Sequence, residues 1–245
     1  MRAVLLGATS GIGRAIARQL AARGDELFLL GIDLRDLERS ARDLEVRGAK
    51  GTVGSARCDL CDSATIEPAF TAAEAALAGF DTVVLTAGLF GSQERLEQDP
   101  ALNEAMLSAN FTGSILFCEA ARKRLLARGG GTLCAFSSVA GDRGRKPVVL
   151  YGATKAGLSY YLEALDHRYR AAGLRTVCIK PGFVRTSMTE GLKPPPFASE
   201  PEEVARLALR AIGRGTPLVY APPIWRLVTL VIRHLPRFVM RRVGF

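Results

Sequence analysis

The stretch AVLLGATSGIG, residues 3–13, decides the fold. An apolar run of strand length enters three glycines, Gly7, Gly11 and Gly13, and the amphipathic pattern AIARQLAARG, residues 15–24, follows at once. A strand, a tight glycine turn and a helix make the first half of a βαβ unit. Glycines there permit the turn and let the backbone approach a pyrophosphate, whose charge the N–H groups and dipole at the helix start stabilise. A plain strand-to-helix connection also uses glycine, so the rest of the chain has to separate the two readings.

Outward from that stretch, apolar runs recur at a steady interval with helix-like segments between them: ELFLLGI, DTVVLTAG, GTLCAFSS, TVCIKPG and PLVYAP, with GTVGSARCDL as a weaker strand. Strands alternating with helices over 245 residues predict one α/β domain. The expected architecture is a doubly wound, Rossmann-like parallel sheet of about seven strands, covered on both faces by helices. In such a sheet, ligands sit beyond the carboxyl ends of the strands, and the unusual motifs fall there. Ser199 and Glu202 in SEPEEVARLALRAI fit a capping box for a late helix.

Composition narrows the function classes. A chain 48% hydrophobic and 23% charged buries a sizeable core. MRAVLLG leaves no room for a secretory leader, so a cytoplasmic location is expected. The five cysteines are scattered through apolar runs and read as reduced thiols. CDLC, Cys58 to Cys61, has no second pair or histidine cluster beside it, and no metal is expected.

The net charge of +9 is uneven: after Glu203 come eight arginines and no acid. No nucleic-acid motif accompanies them, which leaves a membrane surface or a phosphorylated ligand as the anionic partner.

YGATK places Tyr151 and Lys155 one helical turn apart, on one face of a helix. A phenol near pKa 10 is a poor acid or base at neutrality unless its anion is stabilised, and a lysine at that spacing supplies the positive charge. An aromatic and a cation four apart also occur in ordinary helices.

The Gly-x-x-x-Gly-x-Gly spacing at 7–13, LTAG at 85–88, ANF at 109–111, FSSVAG at 136–141, YGATK and PGFVRT at 181–186 together resemble the short-chain dehydrogenase/reductase superfamily over nearly the whole chain. Leu85 and Thr86 stand where that family has asparagines. The resemblance implies an NAD(P)-dependent oxidoreductase that interconverts a ketone and a secondary alcohol. It implies Tyr151 as proton donor to the carbonyl oxygen, Ser138 as the group orienting that oxygen, Lys155 bonded to the nicotinamide ribose, and Asn110 holding a water for proton relay. It assigns cofactor contacts to Gly7, Thr9, Ser10, Gly11, Ile12, Gly13, Asp59, Leu60, Ala87, Gly88, Pro181, Gly182, Val184 and Thr186, besides Asn110, Tyr151 and Lys155. Gly31 and Ile32 carry neither the acid of NAD users nor the arginine of NADP users. Asp33, just beyond, favours NAD by repelling a 2′-phosphate, with Arg35 or Arg14 the phosphate partner if NADP is used instead.

Residues 136–245 further resemble the branch that holds the decaprenylphosphoryl-2-keto-ribose reductase. That implies a lipid-linked keto-sugar. Residues 183–200 are the expected substrate loop, and Arg143, Arg145 and Lys146, just before Tyr151, either meet a substrate phosphate or face solvent. The basic apolar segment 222–245 suits an anionic membrane surface but is too interrupted to span one. Packing of that segment on the sheet edge is the plainer reading. A carbonyl reductase or alcohol dehydrogenase for a small soluble substrate, and a non-catalytic nucleotide-sensing or scaffold protein, are the competing functions. The helix near 101–127 is the expected homodimer surface.

Overall fold

The computed structural model describes residues 1–9 and 11–244. Seven parallel strands form one sheet: β1 (Arg2–Leu6), β2 (Glu26–Gly31), β3 (Gly54–Arg57), β4 (Thr82–Leu85), β5 (Gly131–Phe136), β6 (Leu174–Pro181) and β7 (Leu218–Ala221), in the order β3-β2-β1-β4-β5-β6-β7. The chain runs outward from β1 to β3 and returns to add β4 on the other flank of β1. Strand order reverses between β1 and β4, and a crevice opens where the flanking connections diverge.

Alternation along each strand divides the core. Leu5 and Leu29 face one side with Ile16 and Leu20 of α1 (Gly11–Ala21) and Leu209 of α8 (Pro201–Arg214). Val4, Leu6 and Val83 face the other with Phe70 of α3 (Ile66–Leu77), Phe117 of α6 (Ser114–Ala127) and Leu158 of α7 (Val149–Tyr169). Burial of both faces explains why the strands read as unbroken apolar runs.

Two elements differ from the sequence expectation. The helix near 101–127 is α5 (Pro100–Leu107) and α6, joined by a π-helical turn, Ser108–Gly113. The predicted Ser199 cap of α8 does not form: Glu200 is the N-cap residue and Pro201 takes the first turn. Proline at that position needs no donor, and Ser199 instead pairs its backbone with Phe183 and Arg185, holding the segment after β6. After β7 come α9 (Ile224–His234) and α10 (Arg237–Met240). Among the described residues no helix is long and apolar enough to cross a membrane.

Candidate active site

A cleft of about 610 Å³ follows the carboxyl ends of the strands, lined by Gly7 after β1, Gly31 of β2, Thr86 after β4, Phe136 of β5 and Pro181 of β6. Its first wall is the glycine loop. Gly7 has φ +94°, a conformation that side chains resist, and a Cβ there would lie 2.6 Å from the Thr86 hydroxyl. A Cβ on Gly13 would overlap the Gly7 carbonyl. The glycines therefore let the loop lie close against the end of β4 at the start of α1. Thr86, in place of the family asparagine, donates to the carbonyls of Leu6 (3.0 Å) and Gly7 (3.2 Å) and fixes that approach.

At the far end, α7 carries Tyr151 and Lys155. Its buried stripe runs Lys155, Leu158, Leu162, Leu165, so the lysine lies on the face that packs on the sheet. Burial lowers its pKa to about 8, and its ammonium donates to the Phe136 carbonyl at 2.9 Å. Tyr151 stacks edge-on against Phe90, ring centroids 5.1 Å apart, and the Lys155 ammonium lies 5.8 Å from the phenol ring centroid. Burial pushes the phenol up to about 12, and the neighbouring Ser138 hydroxyl works against that rise. Ser138 starts the 3₁₀ turn Val139–Gly141 and accepts from the Ala140 N–H. Gly141 and Gly152 let that turn press against α7, since a Cβ at either would meet backbone at 2.7 Å or 2.9 Å. At neutral pH the three groups are a protonated phenol, a hydroxyl and a cation at one end of the cleft, suited to polarising and protonating a carbonyl oxygen.

The remaining expected residues distribute unevenly. Thr9, Ile12, Asp33, Asp59, Leu60, Ala87, Gly88, Gly182, Val184, Thr186 and Arg145 line the cleft. Ser10 lies outside the described residues. Asp33 also caps α2 (Leu34–Val46), accepting from the N–H groups of Arg35 and Asp36. Asn110, buried in the π turn, is not among the lining residues: its side-chain amide donates to the Leu89 carbonyl and accepts from the Leu89 N–H, both at 2.7 Å. Its side chain thus holds the loop after Gly88. Arg143 is absent from the lining: its side chain turns toward the end of α9 and donates to the Leu235 carbonyl at 3.0 Å.

Phe183, Met188 and Leu192, in the segment expected to form the substrate loop, line the cleft, as does Trp225, which sequence reasoning did not place there. A Cβ on Gly182 would overlap the Trp225 indole, so the glycine after β6 is what admits that ring. Only the topology, which brings α9 back over β6, reveals the contact.

The residues fit a nicotinamide dinucleotide: a glycine loop at a helix start, a buried cation bonded to the Phe136 carbonyl, and one cleft that joins them.

The family model for short chain dehydrogenases matches residues 1–196. An uncharacterised oxidoreductase of Mycobacterium tuberculosis is 34% identical over 240 residues, covering 98% of this chain and 96% of that protein. Carbonyl reductase family member 4 of Xenopus laevis is 29% identical over 217 residues, covering 84% and 88%. A short-chain dehydrogenase from Sphingobium yanoikuyae, solved with NADPH, superposes with a TM-score of 0.80 at 26% identity, covering 91% of this chain and 88% of that one. The glycine loop, the Tyr151 and Lys155 pair and these likenesses agree: the chain belongs to the short-chain dehydrogenase family and is an NAD(P)-dependent oxidoreductase.

Proposed function

We propose that this chain reduces a ketone to a secondary alcohol, or the reverse, with Tyr151, Ser138 and Lys155 handling proton and charge. The observation that carries the reading is the convergence of those three side chains at one end of a cleft whose other end is the Gly7–Gly13 loop. A nicotinamide held between the glycine loop and Lys155 would supply or accept the hydride. In reduction Tyr151 gives its proton to the carbonyl oxygen, Ser138 holds that oxygen in line, and Lys155 stabilises the phenolate left behind. Asn110 acts by holding the Leu89 segment, which keeps Gly88 low enough for Lys155 to pass. A Cβ on Gly88 would lie 3.0 Å from the Asn110 carbonyl oxygen and 3.4 Å from the Lys155 ammonium. A scaffold role would need none of this arrangement.

For the cofactor we favour NADH: the Asp33 carboxylate, fixed at the mouth by its cap, repels a 2′-phosphate. The substrate we favour is lipid-linked, of the decaprenylphosphoryl-2-keto-ribose kind, met in the cytoplasm at the inner membrane face. That rests on the resemblance over residues 136–245 and on the C-terminal helices. Leu227, Leu230, Val231 and Phe238 are each more than half exposed, with Arg226, Arg233, Arg237, Arg241 and Arg242 exposed around them. A helix docked only on its own sheet would bury that face. The likeness to a carbonyl reductase supports the second reading, a small soluble ketone. We place a homodimer contact on α5, α6 and α7, where Leu107, Phe111, Leu116 and Tyr160 are exposed.

The test is a screen of diacetyl, aromatic ketones and polyprenyl-phosphate keto-sugars with NADH and NADPH, read by nicotinamide absorbance. Turnover confined to the lipid-linked compounds supports the first substrate reading. Equal or better turnover of soluble ketones replaces it with the second.

A further inference from the structure

The loop that begins at Ser138 is fastened by a buried polar cluster outside the cleft. Asp142, next after the 3₁₀ turn, pairs one carboxylate oxygen with the Lys180 ammonium and accepts from the Tyr220 hydroxyl with the other, at 2.9 Å. The Asp142 and Lys180 side chains are 3% and 10% exposed. A buried pair of this kind is held at a desolvation cost and gives weak evidence for stability, so its use lies in fixing geometry. Each member sits at a consequential place. Lys180 is on β6, two residues before Gly182 of the cleft wall; Tyr220 is on β7, just before the turn into α9; Asp142 is four residues from Ser138. The next residue, Arg143, ties the same loop to the carboxyl end of α9 through the Leu235 carbonyl.

We infer that Asp142 is a positioning residue for the reaction: through Lys180 and Tyr220 it pins the Ser138 loop to β6 and β7, so that the serine hydroxyl meets the carbonyl oxygen at the height set by the cleft wall. This rests on the dehydrogenase reading of Ser138. None of Asp142, Lys180 and Tyr220 lines the cleft, so the cluster acts on the serine through the loop it holds. Removing it displaces Ser138 and leaves the cofactor loop alone.

The test is a double-mutant cycle with diacetyl as carbonyl probe. Tyr220→Phe removes one hydrogen bond and keeps the charge pair; Asp142→Asn combined with Lys180→Met removes both charges, so no buried ion is stranded. Each is made alone and in a Ser138→Ala background, with kcat, KM, cofactor Kd and Tm measured. The expected result is a kcat loss of about fivefold or more in the charge-pair variant and a smaller loss in Tyr220→Phe, with KM and cofactor Kd within about twofold. In Ser138→Ala either change should cost less than about twofold more, because the serine through which it acts is gone. An unchanged kcat with a lowered Tm would show a merely structural cluster. A full multiplicative loss in Ser138→Ala would show a route that bypasses the serine. Tyr151→Phe, measured alongside, separates the premise: if it keeps turnover, the reading of the cleft fails irrespective of the cluster.

Discussion

Lys155 is an ammonium set into an apolar stripe of α7 and given one carbonyl to bond. Burial that moves its pKa from 10.5 to about 8 costs on the order of 3 kcal/mol in the protonated state. Because the folded value is the lower one, that penalty is fully present below about pH 8 and is relieved as pH rises from there toward 10.5. Urea unfolding of wild type and Lys155→Met across pH 7 to 10 should therefore show wild type gaining on the variant as pH rises. A pH-independent difference would mean the lysine is not held charged at that cost. The spacing of Tyr151 and Lys155 was legible from YGATK, since one turn of helix fixes a shared face. The direction of Arg143 was not, because a loop residue's side chain is aimed by whatever returns to it, here the end of α9.

At the scale of elements, the glycine loop and the α2 cap set cofactor binding. Gly13→Ala places a methyl on the Gly7 carbonyl, so the loop backbone must shift, and this should weaken cofactor binding by about tenfold or more. Fluorescence titration with NADH checks it. Asp33→Ser keeps an N-cap oxygen for α2 and removes the charge, so helix stability should change by less than about 1 kcal/mol while the preference for NADH over NADPH narrows. An unchanged ratio would remove Asp33 from cofactor choice. The seven strands and the loop could be read from periodicity and glycine spacing. The start of α8 was misread because two cap signals, Ser199 and Pro201, compete two residues apart and only the backbone pairing of Ser199 decides between them.

Across the whole molecule, the C-terminal segment reaches the cleft through one residue of α9, Trp225. Trp225 and Thr229 turn inward, whereas Leu227, Leu230 and Val231 are left outside among arginines. Composition showed the basic apolar tail, but not that one residue of it would complete the cleft. If the tail meets membrane, the protein sediments with anionic vesicles, less with neutral ones, and less again near molar salt, where the Debye length falls to about 3 Å. Substituting Arg233, Arg237, Arg241 and Arg242 by glutamine should abolish the preference while diacetyl turnover is kept. Indifference to vesicle charge would favour the soluble substrate. The central claim, that a phenol at the end of the cleft carries the proton, is tested most directly by Tyr151→Phe. That change keeps the ring against Phe90 and deletes only the hydroxyl. The account predicts a fall in kcat of at least about a hundredfold with cofactor Kd within about threefold of wild type; turnover near the wild-type rate would contradict it.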